Sequence, residues 1–344
     1  MQRVSRRDRC GSGQRVLLRA GELNDPSLLA QNGLAPPEVR PQFHQQMVYA
    51  VSRLTIDNFE HALGRKTLWH PVRDPKRGPK DDSVYVPQLR IYPHALREAN
   101  AYYSPEKVTL LFGYFNANDD NTGEQLPGGT VLTCLSQDIV AHETTHALHR
   151  KFVNATNPDV LAFHEGFADV VALLQPVTFP EILRDQIANT RGDFQSHQSL
   201  LGQLAGQFGH ATGLRGALRE AIGQWQGDKW VRPVPNPADY TATTEPHARD
   251  AILVAAIFDA FLAIYEKRTA DLLRIAMSGT GISPLAPFIL IWWSVFRERP
   301  QRQRVTSSPC VFARWTTVRL STLLSANIFA PSSPPTATWS KMIA

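Results

Sequence analysis

Apolar residues recur every three or four positions through QFHQQMVYAVSRLTIDNFEHALG (42–64), the period of a helix with one buried face. VYVPQLRIYP and KVTLLFGYF are denser in β-branched and aromatic residues and predict two strands of a small sheet. The Pro-rich WHPVRDPKRGPKDD and the polar NANDDNTGEQLPGG (116–129) read as loops. Helical periodicity then returns. Ile139, Val140, Ala147 and Leu148 supply one apolar face, and Phe163, Phe167, Val170, Val171 and Leu174 supply another. Further helices are expected at roughly 180–190, 198–208, 213–225 and 249–275. Strands first and helices afterwards predict an α+β fold. Its expected parts are a loosely ordered segment 1–40, a mixed lobe 41–153, a helical lobe 154–281 and a cleft between the lobes.

Composition changes this picture mainly at one end. The 344 residues suffice for two lobes and a substantial core. The formal net charge of +5 is not spread evenly. From residue 272 onward there are eight Lys or Arg residues and a single acid, Glu298, so the preceding chain is slightly acidic. That distribution, without an aromatic-basic pattern, argues against a nucleic-acid partner. After about Gly281 the helical period lapses into text rich in Ser, Thr, Arg, Pro and Trp. Our expectation is that residues 282–344 form an aberrant basic tail translated out of frame, the alternative being a genuine basic tail. Cys10, Cys134 and Cys310 are odd in number and widely spaced, which implies no disulfide framework. No apolar stretch follows the basic N-terminus, and no apolar run reaches membrane-spanning length. The expected location is therefore cytoplasmic, with no membrane partner.

Two short segments carry the candidate chemistry: AHETTHALH (141–149) and AFHEGFADVVALL (162–174). His142 and His146 are four apart, so on a helix they point two imidazoles the same way. Glu143 lies about 100° round from His142, off the ligand axis but able to reach the open fourth position of a metal site. With eighteen residues intervening after His146 comes Glu165, and one helical turn later Asp169. Two imidazoles and one carboxylate make a His2Glu set, which suits zinc with one position left open. Asp169 is then placed to hold the second nitrogen of a ligating histidine. A zinc site with a third histidine on the same stretch is excluded, because it needs glycine at His149 and histidine at Phe152.

DIVAHETTHAL followed by HEGFADVVALL resembles the gluzincin metallopeptidases, the thermolysin-like enzymes in particular. The resemblance implies a zinc-dependent peptidase with one catalytic ion on His142, His146 and Glu165, Glu143 as general base and Asp169 orienting His142. It also implies a peptide or protein substrate. His247, in EPHARDAILVAAIFDAFLAIY, looks like the family's oxyanion-stabilising histidine, with Asp239 and Glu245 as candidate acid partners. LLFGYFNAND (110–119) is similar to the edge strand with which these enzymes grip a peptide, and Asn116 and Ala117 match its Asn-Ala pair. Beyond Asp138, the stretch after the third ligand offers little but Glu181 for the family's calcium sites, which makes calcium doubtful. EGFA and the eighteen-residue interval also resemble the zinc aminopeptidases, although Gly128-Gly129 leads into Thr130-Val131-Leu132 without their amine-anchoring glutamate. An inactive zinc-binding protein is the remaining alternative.

Overall fold

The computed structural model describes residues 26–31, 33–34, 39–73, 83–117, 128–149, 157–179, 182, 224–226, 229–231, 237–243 and 245–276. The chain divides into two compact units, Met1–Gln46 and Met47–Ala344. In the first, a short helix α1 (Pro26–Ala30) precedes a turn at Gly33, whose φ of +98° is one that side chains rarely adopt. The Leu34 N–H donates to Gln46 Oε1 at 2.8 Å. Helix α2 (Pro41–Leu63) begins in this unit and continues into the second.

The second unit opens, after α2, with a two-stranded antiparallel pair, β1 (Val72–Arg73) and β2 (Ser83–Val84). The main sheet follows: β3 (Arg90–Leu96), β4 (Ala101–Ser104), β5 (Thr109–Asn116) and β6 (Thr130–Leu132). β5 is its centre, running parallel to β3, antiparallel to β4, and pairing through its distal end with β6. An alternation of apolar residues explains that position: Leu110 and Phe112 are fully buried on one face. Gly113 answers a different need. A Cβ there would lie 2.2 Å from the Glu98 carbonyl oxygen and 2.5 Å from that of Asn100. The Gly113 N–H donates to Asn100 O at 2.9 Å, and the Thr133 hydroxyl lies 3.0 Å from both the N and the O of Gly113. Only glycine lets the start of β4 approach β5 this closely.

A 3-10 turn (Thr133–Leu135) leads into α3 (Gln137–His149), and α4 (Pro158–Leu174) packs on it. α4 begins with Asn157 as its cap, the side-chain oxygen accepting from Val160 N–H at 2.9 Å, and with Pro158 in the first turn. The hairpin β7 (Gln224–Gln226) and β8 (Lys229–Val231) precedes α5 (Pro237–Ala242) and the long α6 (Pro246–Ala276). α6 lies along α4, joined to its first turn by an Arg249–Asp159 ion pair of 2.6 Å. Phe112, Val140, Leu148, Phe167, Val170, Val254 and Leu262 bring the sheet, α3, α4 and α6 into one core with Val48, Val51 and Phe59 of α2. Buried hydroxyls tie α2 into the same core: Thr55 donates to Gln175 Oε1 at 2.9 Å and Thr144 to Ser52 Oγ at 3.0 Å.

Mixed helix and sheet, with the main sheet before most of the helices, is the α+β arrangement that the pattern predicts. The helices expected at 42–64, 160–174 and 249–275 appear at Pro41–Leu63, Pro158–Leu174 and Pro246–Ala276. The short strands β4 and β6 were not anticipated. Residues 224 and 225, expected at the end of a helix, lie in β7. The remaining helices expected between 180 and 225 lie outside the described residues apart from Ile182, and so does the tail 282–344. No helix among the described residues is long and apolar enough to cross a membrane.

Candidate metal centre

α3 is buried on almost every side, and its histidines are buried with it: His142 and His149 expose 0% and 1% of their surface. The four-residue interval does what a helix requires of it. His142 Nε2 and His146 Nε2 approach to 2.8 Å. α4 brings Glu165 to both, with Oε2 3.3 Å from each nitrogen. These three side chains form a group that could hold a metal ion. An ion bound tetrahedrally at about 2.0–2.1 Å from each donor would space the donors by about 3.3 Å. The two nitrogen–oxygen separations match that edge, and the nitrogen–nitrogen separation is shorter.

The donor chemistry points the same way. His142 Nδ1 lies 2.6 Å from Asp169 Oδ1, the geometry of an N–H donated to a carboxylate. With its proton committed there, His142 presents a lone pair at Nε2. That lone pair faces a second ring nitrogen and a carboxylate oxygen, and a shared cation reconciles three such donors. Burial pushes the Glu165 carboxyl up, but hydrogen bonds and charge from His142 and His146 outweigh it and hold the group well below the usual carboxylate range. Glu165 is therefore anionic throughout the physiological range.

Glu143 is 97% buried, and its Oε2 accepts the Tyr103 N–H at 3.0 Å. This contact fixes the carboxylate and identifies the strand beside the centre. Tyr103 is in β4, whose partner within the sheet is β5. Alternation along β4 turns the main-chain groups of Ala101 and Tyr103 away from β5, towards α3. β4 is thus the sheet edge facing the candidate metal centre.

Here the reading of 110–119 as an edge strand is corrected. β5 has β3 on one side and β4 on the other, and Asn116 is itself paired with Thr130 of β6. The Ala117 N–H donates to Gly129 O at 2.8 Å. Asn116 and Ala117 are thus covered on the side that faces β6, through Thr130 and Gly128-Gly129. A second Asn-Ala pair, Asn100-Ala101, opens β4, and the Asn100 side-chain oxygen accepts the Ala101 N–H at 2.8 Å. The signal that could have found it was the same dipeptide sixteen residues earlier, immediately before an aromatic pair and a turn at Ser104-Pro105.

His247 falls in the first turn of α6, and its side chain lies outside the described residues, as does that of Asp239. Glu245, the other candidate acid, accepts the Ala248 N–H at 2.6 Å and so caps α6. Asp138 receives the Ser136 hydroxyl, and burial raises its carboxyl above the usual range. Glu181, the other acid weighed for calcium, lies outside the described residues.

Comparison of the chain with protein-family models, with curated proteins and with solved structures returns no match. The functional reading therefore rests on the residues themselves.

Proposed function

We propose that the chain is a zinc-dependent metallopeptidase of the thermolysin-like type. The observation that carries this reading is the convergence of His142 Nε2, His146 Nε2 and Glu165 Oε2, with Glu143 held beside them against a sheet edge. The donor set favours zinc over harder cations, because imidazole nitrogens predominate. When bound, zinc supplies a Lewis acid that polarises the scissile carbonyl and lowers the pKa of water at its open position.

The chain's own residues do the rest. Asp169 holds the Nδ1 proton of His142 and so keeps Nε2 directed at the ion. Glu143, steadied by the Tyr103 N–H, takes a proton from the attacking water and returns it to the departing amine. An extended peptide lying along β4 would pair with its outward main-chain carbonyls, the Ala101 and Tyr103 N–H groups being held by Asn100 Oδ1 and Glu143 Oε2, and such pairing takes no account of side-chain identity. His247, at the start of α6, is the candidate for stabilising the oxyanion.

Glu143→Gln tests the assignment. The variant should retain stoichiometric zinc and lose on the order of 10²–10⁴-fold in cleavage of an end-blocked, internally quenched peptide library. Turnover that survives the substitution would remove Glu143 from the mechanism. Wild-type protein that takes up no zinc would remove the proposal altogether.

A further inference from the structure

Two buried histidines on α3 and α4 have no part in the proposed mechanism. His149, at the last residue of α3, and His164, next to the ligand Glu165 on α4, are both buried, and their Nδ1 atoms lie 3.1 Å apart. A contact of that length between two ring nitrogens requires one to carry the proton and the other to accept it, so the two rings hold opposite tautomers. The surroundings are apolar. The His149 ring stacks on Phe167 at 5.1 Å and tilts against Phe163 at 5.6 Å, and Phe167 in turn meets Phe59 of α2 edge-on. Burial, with the neighbouring histidines His164 and His146, lowers the His149 pKa to about 3, so the ring is neutral.

Such a pair is a poor device for stability alone. The Nε2 of His149 finds no hydrogen-bond partner among the described residues, and an orphaned buried nitrogen generally costs more than one neutral hydrogen bond returns. Its value lies in direction. His142 contacts Asp169 and His149 contacts His164, so numbering rises along α3 as it falls along α4, and the helices are antiparallel. The two contacts stand on either side of the ligands His146 and Glu165. Adjacent residues on a helix are about 100° apart, so holding the azimuth of His164 also holds that of Glu165.

We propose that His149 and His164 form a buried positioning strut that, with the His142–Asp169 contact, locks the register and rotation of α4 against α3 and presents Glu165 to the metal ion. The inference rests on the metal-site part of the functional proposal and is independent of peptidase activity. Without the strut α4 is still held along α6, but its rotation against α3 is fixed at one contact rather than two, and a small turn moves the carboxylate away from the two imidazoles.

His149→Phe keeps the aromatic stacking and deletes the hydrogen bond; His149→Asn sets an amide close to where Nδ1 stood. Zinc affinity is measured by competition with a chromophoric chelator, and ligand geometry by the visible absorption of the Co(II)-loaded protein. His149→Phe should bind zinc on the order of ten-fold more weakly, the lower end of what losing a direct partner of a ligand costs. Its Co(II) bands should weaken as the site departs from four-coordinate geometry. His149→Asn should recover most of the affinity. The metal-free His149→Phe protein should unfold at or above the wild-type temperature, which a merely structural role for the hydrogen bond would not produce. Unaltered affinity and Co(II) spectrum in His149→Phe would overturn the strut while leaving the zinc site intact. A wild-type protein without zinc affinity would instead defeat the site on which it rests. If His149→Phe fails to fold, His164→Leu against His164→Asn puts the same question, and equal affinities in that pair would also overturn it.

Discussion

On α3 and α4 the contacts that define the centre are made by side chains: imidazole to imidazole, imidazole to carboxylate. On β4 and β5 they are made by the main chain. Tyr103 N–H reaches Glu143, Gly113 N–H reaches Asn100 O, and the identity of the side chains matters chiefly where one is absent. The helical half is specified by which residues are present. The sheet half is specified by how closely backbones approach and which strand lies next to which.

This contrast predicts where each half is brittle. The largest effect is expected from Gly113→Val, because the added carbons would meet two backbone carbonyl oxygens that cannot swing aside. Loss of about 3 kcal/mol or more in chemical denaturation is the expected outcome. A variant as stable as the wild type would show that β4 can leave β5 at little cost. Next comes Asp169→Ala on the helical side. With His142 Nδ1 deprived of its acceptor, zinc affinity should fall about 10- to 100-fold, read by chelator competition, while β4 and β5 stay intact by amide hydrogen exchange. Equal zinc affinity would dismiss Asp169 as an orienting group.

The last effect concerns acid. His149 titrates near its ordinary value of 6.5 when unfolded and at about 3 when folded. Its contribution to stability is complete above pH 6.5 and declines as pH falls towards 3, because only the unfolded chain binds the proton in that window. For one such group the slope is about 1.4 kcal/mol per pH unit. Urea unfolding of the metal-free protein should thus show a shallower decline between pH 6 and 4 in His149→Phe than in the wild type. Parallel declines would mean that His149 is protonated in the folded state.

The same contrast explains what the sequence disclosed. His142, His146, Glu165 and Asp169 are legible because a helix converts spacing into direction without outside help, and two successive helices need little further information to meet. The sheet edge is not legible in this way. The chain contains Asn-Ala twice, and what distinguishes Asn100-Ala101 from Asn116-Ala117 is the pairing of β5 with β3, β4 and β6. None of those partners is announced by the dipeptide itself. β4 and β6, at four and three residues, are also too short for alternation to declare them. His149 was noticed only for the glycine it displaces. Its contact with His164 depends on how α4 docks, although its place three residues after His146 already turned it towards the face that α4 covers.

Antiparallel contacts on both sides of the ligands have a consequence for variation among related chains. Register between α3 and α4 is set where the helices touch, so the residues joining them, 150–156, need not set it. An insertion between the two helices lengthens the span of chain that their contact closes, and even a doubling of such a span costs only about 0.6 kcal/mol. It moves no ligand relative to another. The interval of eighteen residues between His146 and Glu165 thus describes the joining segment and is no requirement of the chemistry. Chains with a different interval, but with both contacts kept, would assemble the same centre.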